Sequence, residues 1–177
     1  MNEVDQFGME TIDAIKQLVV ANRYLQALVV LYSAIDTLTW VSLAKGDVTR
    51  SAFCLWVDTY IVPNKLIGCT AWDLYAARCA IVHSNTTESK LSRNGEAREL
   101  WYVTSSPSAE SLQEYAQSVG SKAHVVPFTL LLAAFTEGVM NFSEILTQNA
   151  ELESRCVERM KHWLRFITIR LGEVTKP

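Results

Sequence analysis

The chain has 177 residues, 49% of them hydrophobic and 20% charged, and its 16 Lys+Arg nearly balance its 19 Asp+Glu for a net charge of −3. Such a chain fits one domain and can bury a core without staples, which excludes a disordered or fibrous protein. The charge balance gives no overall attraction to nucleic acid, so any such contact must come from a local basic patch.

The opening "MNEVDQFGMETIDAIKQLVV" carries acids and no leading basic region, unlike a signal peptide. The apolar runs are short or broken by charge, so no bilayer span and a cytoplasmic location are expected. Cys54, Cys69, Cys79 and Cys156 form no C-x-x-C pair, and they read as reduced, mostly buried thiols. The sequons at Asn85 and Asn141 read as chance matches.

Helical periodicity dominates, with only seven Gly and four Pro to interrupt it. A first helix covers about 9–20 and a second runs from Asn22 to Ala44, stopped by Gly46. In the second, Leu25, Leu28, Val29, Tyr32, Thr39 and Leu43 form one stripe, and Asp36 falls inside it. A buried carboxylate needs a partner, with Arg78 or His83 as the functional reading and Tyr75, Trp72, Tyr32 or a helix end as the structural ones. Asp47 or Thr49 caps a third helix over about 50–61, before Pro63. Thr70 and Asp73 form a capping-box-like start to a fourth helix over 71–83.

From 84 to 126 the style changes. "SNTTESKLSRNGEARE" is polar and loop-like, "LWYVTSS" and "KAHVVPF" read as strands, and a short helix capped by Ser108 lies between them. This segment is read as an insertion with a small hairpin. Helices resume after Pro127, over about 128–147 and 150–171. The expected fold is one all-α domain over 1–177, an up-and-down bundle of five or six helices with that insertion.

The residues that carry chemistry lie in "WDLYAARCAIVHSN", where Arg78 and His83 interrupt an apolar helix. Five residues rotate by roughly 140° and rise by roughly 7.5 Å. The pair converges only if the last turn unwinds or the arginine leans around the helix. A guanidinium forks onto phosphate and an imidazole moves protons near neutral pH, a combination suited to metal-free RNA cleavage. The plainer alternative is a surface arginine with a histidine that favours the helix dipole. No Asp/Glu/His cluster has metal-ligand spacing, so no metal or cofactor is expected.

Arg78-Cys79-Ala80-Ile81-Val82-His83 resembles the R-x-x-x-x-H signature of the HEPN superfamily, and "LYSAIDTLTWVSLA" resembles its second helix, with an acid in an apolar face. The resemblance covers about residues 20–85. It implies a metal-independent endoribonuclease, a toxin or defence effector, with Arg78 and His83 catalytic in the composite cleft of a homodimer. It also implies Asp36 and Cys79 as supporting residues, and an antitoxin or other partner protein. Many active members have Asn, Asp or His directly after the arginine, where this chain has Cys79. Other members are inactive and only bind nucleic acid, interact with proteins or dimerise, and that alternative stays open beside a plain helical scaffold. Lys90, Arg93 and Arg98 follow the motif and are the candidate RNA-binding set. Arg155, Arg159 and His162 form a basic stripe on the last helix, read as a solvated face paired with Glu151 or Glu158. His124 is read as structural.

Overall fold

The computed structural model describes residues 2–63, 67–104 and 108–162. These contain eight helices and two short strands, an all-α class. Helix α1 (Glu3–Val20) begins earlier than apolar periodicity suggests. Asn2 Oδ1 accepts from Asp5 N at 2.8 Å while Asn2 N donates to Asp5 Oδ2, so a polar capping box sets the start. Asn22, at φ 56°, then turns the chain into α2 (Tyr24–Ser42).

Helix α2 is the axis of the fold and packs against α1, α3 (Arg50–Tyr60), α4 (Ala71–Ser84) and α8 (Ala150–Met160). Its buried face is Leu28, Leu31, Tyr32, Ile35, Leu38 and Thr39. The expected stripe is corrected here: Leu25 is 43% exposed and Leu43 lies beyond the helix. A helix with neighbours on several sides has no single apolar stripe to read. Asp36 sits at the edge of the buried face, half-buried.

Helix α7 (Phe128–Gln148) supplies Leu131, Phe135 and Phe142 to the same core. It crosses α1 so closely that a Cβ on Gly8 would stand 2.5 Å from Val139 Cγ1. Helices α2 and α7 are long and apolar enough to cross a membrane by length and composition, and here much of that apolar surface forms the core. The expected last helix is α8 to Met160, and the part beyond 162 lies outside the described residues.

The insertion is not a hairpin. After the four-residue α5 (Lys90–Arg93), strand β1 (Leu100–Val103) pairs in parallel with β2 (His124–Pro127), in register Leu100↔His124 to Val103↔Pro127. Helix α6 (Ala109–Ser118), capped by Ser108, lies between them in the chain. A tight loop joins antiparallel strands, whereas parallel strands need a crossover of a dozen or more residues, which this segment provides. Leu100 and Val126 are buried in the main core, and the Tyr102 hydroxyl meets that of Tyr32 at 2.6 Å. The segment is therefore part of the core rather than an appendage.

Candidate active site

Helix α4 starts where its sequence says it should. Thr70 Oγ1 accepts from Asp73 N at 3.1 Å, and Asp73 Oδ2 accepts from Thr70 N at 3.0 Å. At the other end Asn85 takes the left-handed conformation, and Thr86 N donates to Ala80 O at 3.2 Å, closing the last carbonyls. The helix stays regular through Ser84, so the last turn does not unwind to redirect His83.

Apart from the terminal Ser84, the residues of α4 that are not buried are Trp72, Tyr75, Arg78, Cys79, Val82 and His83. On a helical wheel they fill one strip roughly 140° wide, with Arg78 on one edge and His83 on the other. Every other residue of the helix before Ser84 is buried. The arginine and histidine therefore flank the single outward face of a core helix.

Arg78 closes the gap with its length. Its Nη1 lies 3.0 Å from His83 Nε2, while its Nε and Nη2 donate to Asp36 Oδ2 on α2 at 2.8 and 2.6 Å. A guanidinium only donates, so Nε2 must offer its lone pair and the imidazole carries its proton on Nδ1. Partial burial works against the charged guanidinium, but the bonds to Asp36 outweigh it and hold Arg78 above its ordinary pKa. Arg78 and Asp36 each keep 20% side-chain exposure, and His83 is exposed. Among the described residues Asp36 Oδ1 is buried without a hydrogen-bond partner. Trp72 and Tyr75 do not serve Asp36; they stack on each other instead, with ring centroids 6.3 Å apart.

Two open grooves of about 400 Å3 each border this centre. One is lined by Asp36, Thr37, Trp40, Asp47, Val48 and Arg78. The other brings Cys79 and Ser84 together with Lys90 and Arg93, both exposed on α5. The third residue of the basic set is used elsewhere. Arg98 donates from Nε and Nη2 to Asp73 Oδ2 at 3.1 and 2.6 Å, and its backbone N donates to Asp73 Oδ1 at 2.8 Å. Burial raises the Asp73 pKa, but the bonds from Arg98 and Thr70 more than offset it and leave the carboxyl below its ordinary value.

The basic stripe of α8 is likewise structural. Arg155 donates to Glu151 and to the Ser42 carbonyl, while Arg159 donates to the Gly46 carbonyl and covers the Trp40 ring at 4.1 Å. Glu158 pairs with Lys161, with His162 as a further charge beside it. His124 stands 3.0 Å from the Ile67 carbonyl, which can only accept, so Nε2 carries the proton there. Among the described residues no group of three His, Cys, Asp or Glu side chains gathers as a metal site.

Sequence reasoning missed Arg50, whose guanidinium lies over the Trp72 and Tyr75 rings at 4.8 and 5.6 Å. The signal available was aromatic residues three apart on a helix with an arginine upstream, which is weak. Comparison with protein-family models, with curated proteins and with solved structures finds no match. The functional reading therefore rests on this geometry and on the motif's resemblance.

Proposed function

We propose that the protein is a metal-independent endoribonuclease of the HEPN type, an up-and-down helical bundle acting in the cytoplasm as a toxin or defence effector. The observation that carries the reading is the 3.0 Å contact between Arg78 and His83, with Arg78 held from behind by Asp36. In the reaction, N–H groups of Arg78 bind the scissile phosphate and stabilise its transition-state charge. His83 Nε2 releases Arg78 and takes the proton of the 2′-hydroxyl as that oxygen attacks phosphorus. The P–O5′ bond breaks, the 5′-oxygen takes a proton from a second, protonated imidazole supplied by the partner copy of a homodimer, and a cyclic phosphate remains. Asp36 is a positioning residue that fixes the guanidinium plane. Lys90 and Arg93 track the backbone beyond the cut.

Asp36 offsets much of the charge of Arg78, so one copy offers a phosphate little net positive charge. In a homodimer a second Arg–His pair supplies more, together with a separate acid for the leaving oxygen. An antitoxin or other partner protein fits the same reading. A catalytically silent module that binds nucleic acid or protein is the second reading. Asp47, in the groove with Asp36, and Cys79, directly after Arg78, favour it. The test is product chemistry in the presence of a chelator. The enzyme reading expects a cyclic phosphate end from RNA and no cut where the link is DNA or 2′-O-methyl. Cleavage of those resistant links would refute the assigned nucleophile.

A further inference from the structure

Arg50, Trp72 and Tyr75 form a second feature on the same outward face of α4. The two rings lie 29° from parallel at 6.3 Å, with the Arg50 guanidinium over both. Arg50 is exposed and is the first residue of α3, where the helix dipole disfavours a cation and no acid stands in the first turn. Among the described residues no carboxylate pairs with it. Its guanidinium sits over both rings and hydrogen-bonds the Tyr75 hydroxyl. Nucleobases stack on such surfaces, and a neighbouring phosphate is drawn to the cation.

The position relative to Arg78 matters. Tyr75 and Arg78 are about one turn apart on one strip, a rise of about 4.5 Å, and Trp72 stands a rise of about 9 Å from Arg78 near the strip's other edge. Successive phosphates of a stacked strand rise by about 3.4 Å along the helix axis. We infer that Arg50, Trp72 and Tyr75 are a stacking platform for a base of single-stranded RNA, a few nucleotides or fewer from the phosphate held by Arg78. This rests on the ribonuclease reading, and the platform takes an unpaired base, since a base within a duplex has no free face. A second copy of the chain covering these rings is the competing occupant.

The probe is a short, fully 2′-O-methylated oligouridylate, which binds without being cut, read by fluorescence anisotropy. Wild type is compared with Arg50→Ala, Trp72→Leu and Trp72→Phe, each with its melting temperature measured. The platform predicts roughly 5- to 100-fold weaker binding for Arg50→Ala and Trp72→Leu, with affinity restored in Trp72→Phe. One abasic nucleotide, moved along the strand, should weaken wild type at one position and leave Trp72→Leu unaffected there. Unchanged affinity in folded Arg50→Ala and Trp72→Leu would overturn the platform, as would abasic and Trp72→Leu penalties that simply add. Loss of a dimer in Trp72→Leu by sedimentation, with RNA affinity intact, would assign the face to a second copy and overturn it as well. Cleavage is scored separately on unmodified RNA. A platform that binds without cleavage leaves the ribonuclease reading at fault, and cleavage with unchanged binding in the variants leaves the platform at fault.

Discussion

Asp36 and Arg78, 42 positions apart in the chain, are joined through a single oxygen: Oδ2 accepts from both Nε and Nη2, while among the described residues Oδ1 stays buried without a partner. The guanidinium is thus held along one side, with Nη1 directed to His83. Removing the carboxylate frees the arginine to rotate and leaves its inner donors unsatisfied. Asp36→Ala should cost ~1–3 kcal/mol in urea unfolding and lower cleavage without touching substrate. Asp36→Asn keeps an acceptor and should retain more stability than Asp36→Ala. Equal stability in wild type and Asp36→Ala would show that the pair contributes nothing.

The Asp73–Arg98 pair ties the start of α4 to the segment before β1, and the Asp73 side chain is only 4% exposed. Asp73 also completes the capping box. Asp73→Ala should therefore destabilise by ~2–4 kcal/mol, a buried bond and a cap lost together. Arg98→Ala should cost less, because the Arg98 side chain is 40% exposed and solvent screens it.

Acid titration separates these contributions. The folded-state pKa of Asp73 lies below its ordinary value of 3.8. The stability it contributes is present above that value and is lost as pH falls through the lower, folded one. Denaturation curves from pH 6 down to about pH 2 should show Asp73→Asn less acid-sensitive than wild type across that window. Parallel curves for the two proteins would contradict the assignment.

The Tyr32–Tyr102 contact tests whether the inserted segment belongs to the core. Burial first, and then the neighbouring tyrosine, raises Tyr32 above its ordinary value of 10.0. A group held un-ionised in this way contributes stability below that value and loses it as pH rises above it. Tyr102→Phe should leave the Tyr32 hydroxyl without its partner, cost ~1–3 kcal/mol, and reduce protection of α2 in hydrogen exchange. An unchanged exchange pattern would mean that the segment unfolds independently.

The local features of the site could be read from the sequence. Thr70 and Asp73 announce the start of α4 because a capping box is a local four-residue pattern. Arg78 and His83 stand out because charge interrupts an apolar run. That Asp36 needs a donor follows from one rule, that a carboxylate beside a core must find one, while the choice of Arg78 rests on the motif's resemblance. Contacts without a local pattern did not show. Arg98 looks like a free cation until the fold brings it to Asp73, 25 positions away. The two strands look like a hairpin until α6 is recognised as the crossover. Arg159 meets the Gly46 carbonyl 113 positions away, which no spacing rule anticipates.

The central claim is that the Arg78–His83 pair cuts RNA. The direct measurement is the single-turnover cleavage rate of a single-stranded RNA in excess chelator, for wild type, Arg78→Ala and His83→Ala at matched foldedness. The account predicts cleavage by wild type, a fall of ~10²–10⁴ for His83→Ala, and a loss at least comparable for Arg78→Ala. Wild type and both variants cutting at the same rate, or all three remaining inert, would contradict it.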